Sequence, residues 1–315
     1  MAGAAIDVVA LVVGVAVIVW GAETFAEHLA AASTRLGVTS FALALLLAGA
    51  EPEELATAVA ATLRDSPAIA LGDVIGANAA ICLVALGVGA VIAPLPFGRR
   101  VRRYALFGIP VGAVSVAAMW DGHASRVEGG LLVALYAAYV AAIWIAERQP
   151  PSLGEVAELD EVRQPTGRIG RELGLVLAGV AAMVIGATLL VEGVRGLADA
   201  DDAQARLSLT IVGFATAFEL VVLAWSAARR GISEAVVAAV CGSFAYNATM
   251  TLGAAALVRP LRIADTDLIR LPALAMLLAL LVPIVLALRD QRLDRRDGAV
   301  LLLGYPLFVI VSLVA

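Results

Sequence analysis

The sequence predicts an all-α membrane protein: ten transmembrane helices arranged as two inverted five-helix repeats. Three observations predict it. Of 315 residues, 62% are apolar and only 16% charged, with mean hydropathy +0.95, whereas a soluble domain is about half apolar and about a quarter charged. The apolar residues fall in runs long enough to cross a bilayer, at about 20 residues per helical span. The chain also begins to match itself when shifted by 165 residues. This composition excludes a soluble enzyme, a nucleic-acid binder and a disordered chain.

The spans are read at about 5–30, 38–63, 68–95, 103–120, 127–146, 172–197, 206–228, 233–257, 266–288 and 298–315. None alternates like a strand, and helices satisfy their backbone polar groups internally across such stretches. All 22 basic residues are Arg. With the N-terminus outside, 15 of them fall on inner connections, notably Arg99, Arg100, Arg102 and Arg103, and Arg289, Arg292, Arg295 and Arg296. The positive-inside rule therefore places both termini outside. Met1 runs almost directly into an apolar stretch without a basic lead, so no cleavable signal is read. Cys82 and Cys241 lie in apolar runs, which excludes a disulfide scaffold. His28 and His123 lack zinc-site spacing.

Residues 148–171 form the one long polar stretch, with a Pro pair and mixed charge. They read as a cytoplasmic linker between residues 1–147 and 172–315, with no activity of its own. Across it, Gly21-Ala22 falls on Gly186-Ala187, Glu27 on Glu192, Glu54-Leu55 on Glu219-Leu220 and Arg64 on Arg229. Gly76 meets Gly242 after a one-residue slip. An odd number of spans per half forces the halves to insert in opposite directions. Inverted repeats are a transporter architecture, with the substrate site near the midplane at interrupted helices.

Span 2 carries Glu51, Glu53 and Glu54 beside Gly49 and Pro52. A carboxylate in mid-membrane marks a pathway or a site. Pro52 breaks the hydrogen-bond ladder and suits the first turn of a second half-helix. On a helical wheel Glu51 and Glu54 share a face and Glu53 points about 100° away. Span 7 carries one acidic residue, Glu219, with Thr216 three residues earlier mirroring Glu51; lacking a proline, its interruption is not specified. Span 8 adds Ser243 and Asn247, four apart. Span 3 adds Asp73, which also suits a helix end near the outer surface, and Asn78, while Ala77 and Ile81 hold the slots of Ser243 and Asn247. Two carboxylates 4 Å apart repel by about 4 kcal/mol at an effective dielectric of 20, so cations or protons must neutralise the cluster. Oxygen-only ligands suit hard cations such as Na⁺, Ca²⁺, Mg²⁺ or Mn²⁺. Glu23, Glu27 and His28 sit toward the inner end of span 1 and read as interfacial, with a gating or ion-access role for Glu27 and its counterpart Glu192 left open. His123 reads as a solvated loop residue.

The motifs Gly49–Leu55 (GAEPEEL) and Phe214–Leu220 (FATAFEL), with Gly72–Ile81 (GDVIGANAAI) and Val240–Asn247 (VCGSFAYN), resemble those of the calcium/cation antiporter superfamily, which includes the sodium/calcium exchangers. Its members carry G-T-S-x-P-E-like and G-[ND]-x-x-G-S-N-x-x-[ND]-like motifs in two inverted α-repeats, here at about 38–95 and 206–257. The resemblance matches the family glutamates to Glu54 and Glu219. It implies a secondary cation antiporter, not an enzyme, with no cofactor, whose substrates are the transported cations: Ca²⁺, Na⁺ or H⁺. The residues expected at the metal site are Glu54, Glu219, Glu51, Thr216, Ser243, Asn247, Asp73 and Asn78. The alternative is a proton-coupled exchanger of another cation, Mg²⁺, Mn²⁺, Na⁺ or K⁺. The expected setting is the cell membrane, multi-pass, with inorganic cations and lipid as partners and no nucleic acid; a monomer is compatible with the sequence, which leaves the oligomeric state open.

Overall fold

The computed structural model describes residues 2–36, 50–147, 169–231 and 233–314. In chain order the helices are α1 (Ala2–Leu36), α2 (Pro52–Leu63), α3 (Pro67–Ile92), α4 (Arg99–Met119), α5 (Arg126–Glu147), α6 (Ile169–Leu197), α7 (201–216), α8 (Phe218–Arg230), α9 (233–258), α10 (Asp267–Asp290) and α11 (Arg295–Val314). Nine stretches of the described residues are long and apolar enough to cross a membrane. The tenth predicted span survives in part as α2; its first half, including Gly49, and most of the 148–171 linker lie outside the described residues. Helix α6 starts at Ile169, three residues inside the stretch read as linker. Side chains such as Leu177, Leu303 and Val314 are exposed, as expected where lipid is the solvent. Helices α3 and α9 are buried almost all round and form the centre.

The halves repeat in detail. The two central helices α3 and α9 each contain a π-turn, at Ile81–Ala85 and Asn247–Thr251, 166 residues apart. Left-handed corners recur at Asp65 and Gly231, and at Gly122 and Gln291. Two-residue strands follow: β1 (Leu95–Pro96), β2 (His123–Ala124), β3 (Leu261–Arg262) and β4 (Arg292–Leu293). Each pairs with the other half, β1 with β4 and β2 with β3, both antiparallel. The counterparts β1 and β3 are thus separated by the length of α4, at opposite ends of the bundle.

Helices α1 and α6 show the same inversion directly. A Cβ on Gly14 would meet the Gly186 carbonyl oxygen at 2.8 Å, and one on Gly21 would meet that of Gly179 at 2.8 Å. Gly193 approaches Asp7, and His28 hydrogen-bonds Glu172 at 2.6 Å. Contacts that rise along α1 and fall along α6 mean antiparallel helices, and glycine every seventh residue lets the backbones touch. His28 is therefore half-buried and paired, not simply interfacial. His123, expected in a solvated loop, lies in the β2–β3 ladder opposite Arg262.

Helices α5 and α11 open on equivalent capping boxes. The Glu128 amide donates to Ser125 Oγ at 3.2 Å and the Ser125 amide to Glu128 Oε2 at 2.8 Å. At the second, Asp294 and Asp297 exchange bonds of 3.2 and 2.9 Å. The amides of Asp297 and Arg296 hold the Asp294 carboxyl below its usual range. That contribution is present above the ordinary carboxylate pKa and fades as pH falls through the lowered one. Ser125→Ala should cost about 1 kcal/mol, read as a lowered thermal midpoint in detergent; an unchanged midpoint would mean that the box adds nothing.

Candidate cation site

Pro52 sits at the first position of α2, so the helix starts in mid-chain rather than continuing through span 2. Glu51, at φ −119° and ψ 81°, is its N-cap and is not helical. This corrects the wheel argument: across the break, sequence spacing no longer sets direction. Glu53 does not point away. Glu51, Glu53 and Glu54 are all buried, and each offers an oxygen within 4.8 Å of the others. Neither oxygen of Glu54 has a hydrogen-bond partner among the described residues. Ser243 donates its hydroxyl to Glu51 Oε1.

Span 7 is interrupted without a proline. A π-turn at Ser208–Val212 widens and underwinds α7, and Ala217, at φ −70° and ψ −7°, separates it from α8. Glu219 then lies in the first turn of α8, as Glu53 and Glu54 lie in the first turn of α2. Two helix N-termini face the site with carboxylates in their opening turns. Each dipole favours a nearby anion by about 0.3–1 kcal/mol, too little to offset the roughly 4 kcal/mol repulsion of one carboxylate pair.

The landmarks of α2 and α8 also correct the register. Pro52 and Phe218 start them, and the corners Asp65 and Gly231 end them, both 166 residues apart. The slip seen in the sequence at Gly76 has already occurred by Pro52. Glu53, rather than Glu54, is the positional counterpart of Glu219, and the Pro-Glu of the motif reads Pro52-Glu53. Glu53 was missed because the wheel was drawn through a proline; the signal that finds it is Pro52 itself.

Glu219 is half-buried and lies outside the 4.8 Å trio, but shares with Glu51 a cavity of about 360 Å³ between α1 and α8. Glu51 and Glu54 both lie within electrostatic reach of Glu219. Glu23, read as interfacial, lines this same cavity. Asp73 is not at a surface: it is fully buried, with Thr216 Oγ1 3.1 Å from its Oδ1, a link between the halves. Asn78 is buried and donates weakly to the Phe244 carbonyl at 3.5 Å. Asn247 opens the π-turn of α9, its Oδ1 accepting from Thr251 at 3.2 Å. Asp73 Oδ2, Asn78 Oδ1 and Asn247 Nδ2 find no partner among the described residues. Tyr246, not singled out by sequence, is buried within reach of Glu51, Glu53 and Glu54. Buried polar atoms are rarely left unpaired; the unpaired carboxylate and amide oxygens suit a cation, whereas Asn247 Nδ2 is a donor and does not.

The family model described as "Sodium/calcium exchanger protein" matches residues 6–145 and 172–314. An uncharacterized membrane protein of Methanocaldococcus jannaschii is 26% identical, over 71% of this chain and 70% of its own. The sodium/calcium exchanger MaX1 of Methanosarcina acetivorans is 24% identical, over 96% and 97%. In fold, the crystal structure of the H⁺/Ca²⁺ exchanger CAX superposes with a TM-score of 0.73 at 17% identity, covering 98% of this chain and 86% of that one.

Proposed function

The chain belongs to the sodium/calcium exchanger protein family, and from that premise we propose that it moves Ca²⁺ across the membrane in exchange for Na⁺ by alternating access. At the coarser level it is a multi-pass membrane cation antiporter, a transporter rather than an enzyme, whose substrates are cations. The observation that carries the reading is the buried trio Glu51, Glu53 and Glu54 at the start of α2, of which Glu51 lines a cavity that also reaches Glu219. A divalent ion balances two carboxylates at once, and hard carboxylate, hydroxyl and amide oxygens suit Ca²⁺. In this reading Glu53, Glu54 and Glu219 are direct ligands. Glu51 is a third carboxylate or a proton acceptor, and Thr216, Ser243, Asn247, Asp73 and Asn78 are auxiliary oxygens.

Residues 1–147 and 172–315 are the two exchanging halves, joined by the 148–171 linker. The linker and the arginine-rich connections face the cytoplasm, with both termini outside. Pairing of β1 with β4 gathers Arg99, Arg100, Arg102 and Arg103 with Arg292, Arg295 and Arg296 at one end, which supports that orientation.

One observation favours a second reading. Ala77 and Ile81 replace oxygen ligands in the first repeat, while Glu51 adds a carboxylate that already accepts from Ser243. Such a site exchanges Ca²⁺ or another hard cation for protons. Purified protein in liposomes should take up Ca²⁺ when an outward Na⁺ gradient is imposed. Uptake driven only by a pH gradient selects the second reading, and absence of both flux and Ca²⁺ binding ends both.

A further inference from the structure

The two halves match in sequence but not in their present contacts. Half-helix α2 packs along α6. Its counterpart α8 stands off from α1, and the cavity lined by Val19, Glu23, Phe218 and Ser226 lies between them. One face of the site is closed and the other open. At the closed face Arg64, just past the end of α2, pairs with Glu192 of α6, and Arg195 approaches Glu192 at 3.5 Å. The counterparts at the open face are Glu27 in α1, from the offset set by the glycines of α1 and α6, and Arg230 at the end of α8, from the offset set by Pro52 and Phe218. Both are exposed, and no ion pair joins them among the described residues. Neighbouring Arg229 is held over the Trp225 ring at 4.9 Å.

We infer that Arg64–Glu192 and Glu27–Arg230 are alternative latches: each forms when its own face closes, and together they set which side the cation site opens to. These are positioning residues, acting through the packing of α2 on α6 and of α8 on α1. The inference rests on the antiport reading, since two latches matter only to a protein that opens both ways. Exposed ion pairs are weak, so each latch shifts the balance of states by roughly two- to fivefold rather than locking it.

The test reads accessibility, not transport, so it stands apart from the identity of the ion. Ala60 occupies on α2 the place that Ser226 holds in the cavity wall of α8. Ala60→Cys in liposome-reconstituted protein should react slowly with a membrane-impermeant thiol reagent, while the native Cys82 and Cys241 are buried. Arg64→Gln or Glu192→Gln should speed that reaction roughly two- to fivefold, and the charge-swapped pair Arg64→Glu with Glu192→Arg should return it to the starting rate. Glu27→Gln should slow it by a similar factor. A merely structural role would move all variants in one direction. Rates that are unchanged, that shift in the same direction at both latches, or that the swap does not restore would overturn the inference.

Discussion

Glu219→Gln should lower Ca²⁺ flux by roughly 100-fold or more while leaving the bundle folded. Changes to groups that only support a metal ligand already cost about 10–100-fold, so loss of a ligand's charge costs no less. Gln keeps the size of the side chain and one carbonyl oxygen, but turns an acceptor into a donor facing a cation. The residue is half-buried beside the cavity in the first turn of α8, so the substitution leaves no void. Glu53→Gln should match it, because each glutamate is the second residue of its half-helix. Initial uptake rates and Ca²⁺ binding by calorimetry, with monodisperse elution as the folding control, check both. Either variant retaining more than about a tenth of the rate, against the expected 10–100-fold scale, with unaltered binding removes that residue from the ligand set.

The second large effect is structural. Gly186→Leu should destabilise the protein at or beyond the upper end of the about 1–3 kcal/mol typical of overpacking. A side chain there meets the Gly14 carbonyl oxygen at 2.7 Å and the Ile18 nitrogen at 2.8 Å, both backbone atoms, together with Ile18 Cγ1 at 2.8 Å. The antiparallel helices must separate along their length, and every glycine contact in the register loosens. Gly174→Leu in the same helix is the control, since a Cβ there meets nothing within 4 Å. Thermal unfolding in detergent should show a marked fall for the first and little for the second; equal midpoints would mean that α1 and α6 have slack that the geometry denies.

The sequence made the spans legible because lipid enforces long apolar runs, and the repeat legible because Gly21, Glu27 and Gly186 are residues that chance rarely aligns in apolar surroundings. It placed Glu51, Glu54 and Ser243 together, and a helix start at Pro52. What it hid came from breaks in periodicity. Across Pro52 and Ala217 the helical wheel has no meaning, so Glu53 was assigned to the wrong face and the counterpart of Glu219 to the wrong residue. Asp73 was ambiguous because burial within α3 depends on α7, which supplies Thr216 from the other half. The pairing of His28 with Glu172 spans 144 residues, and no local pattern carries it.

The four short strands have a mechanical consequence. Since β1 grips β4 and β2 grips β3, the halves are stitched together at both rims and cannot swing apart like the covers of a book. The stitched part is α3, α4 and α5 with α9, α10 and α11. Outside it, α1 leans chiefly on α6 and touches little else. In the alternating-access reading proposed above, the change of access falls outside that frame and chiefly on α1, a shuttle running on a fixed track.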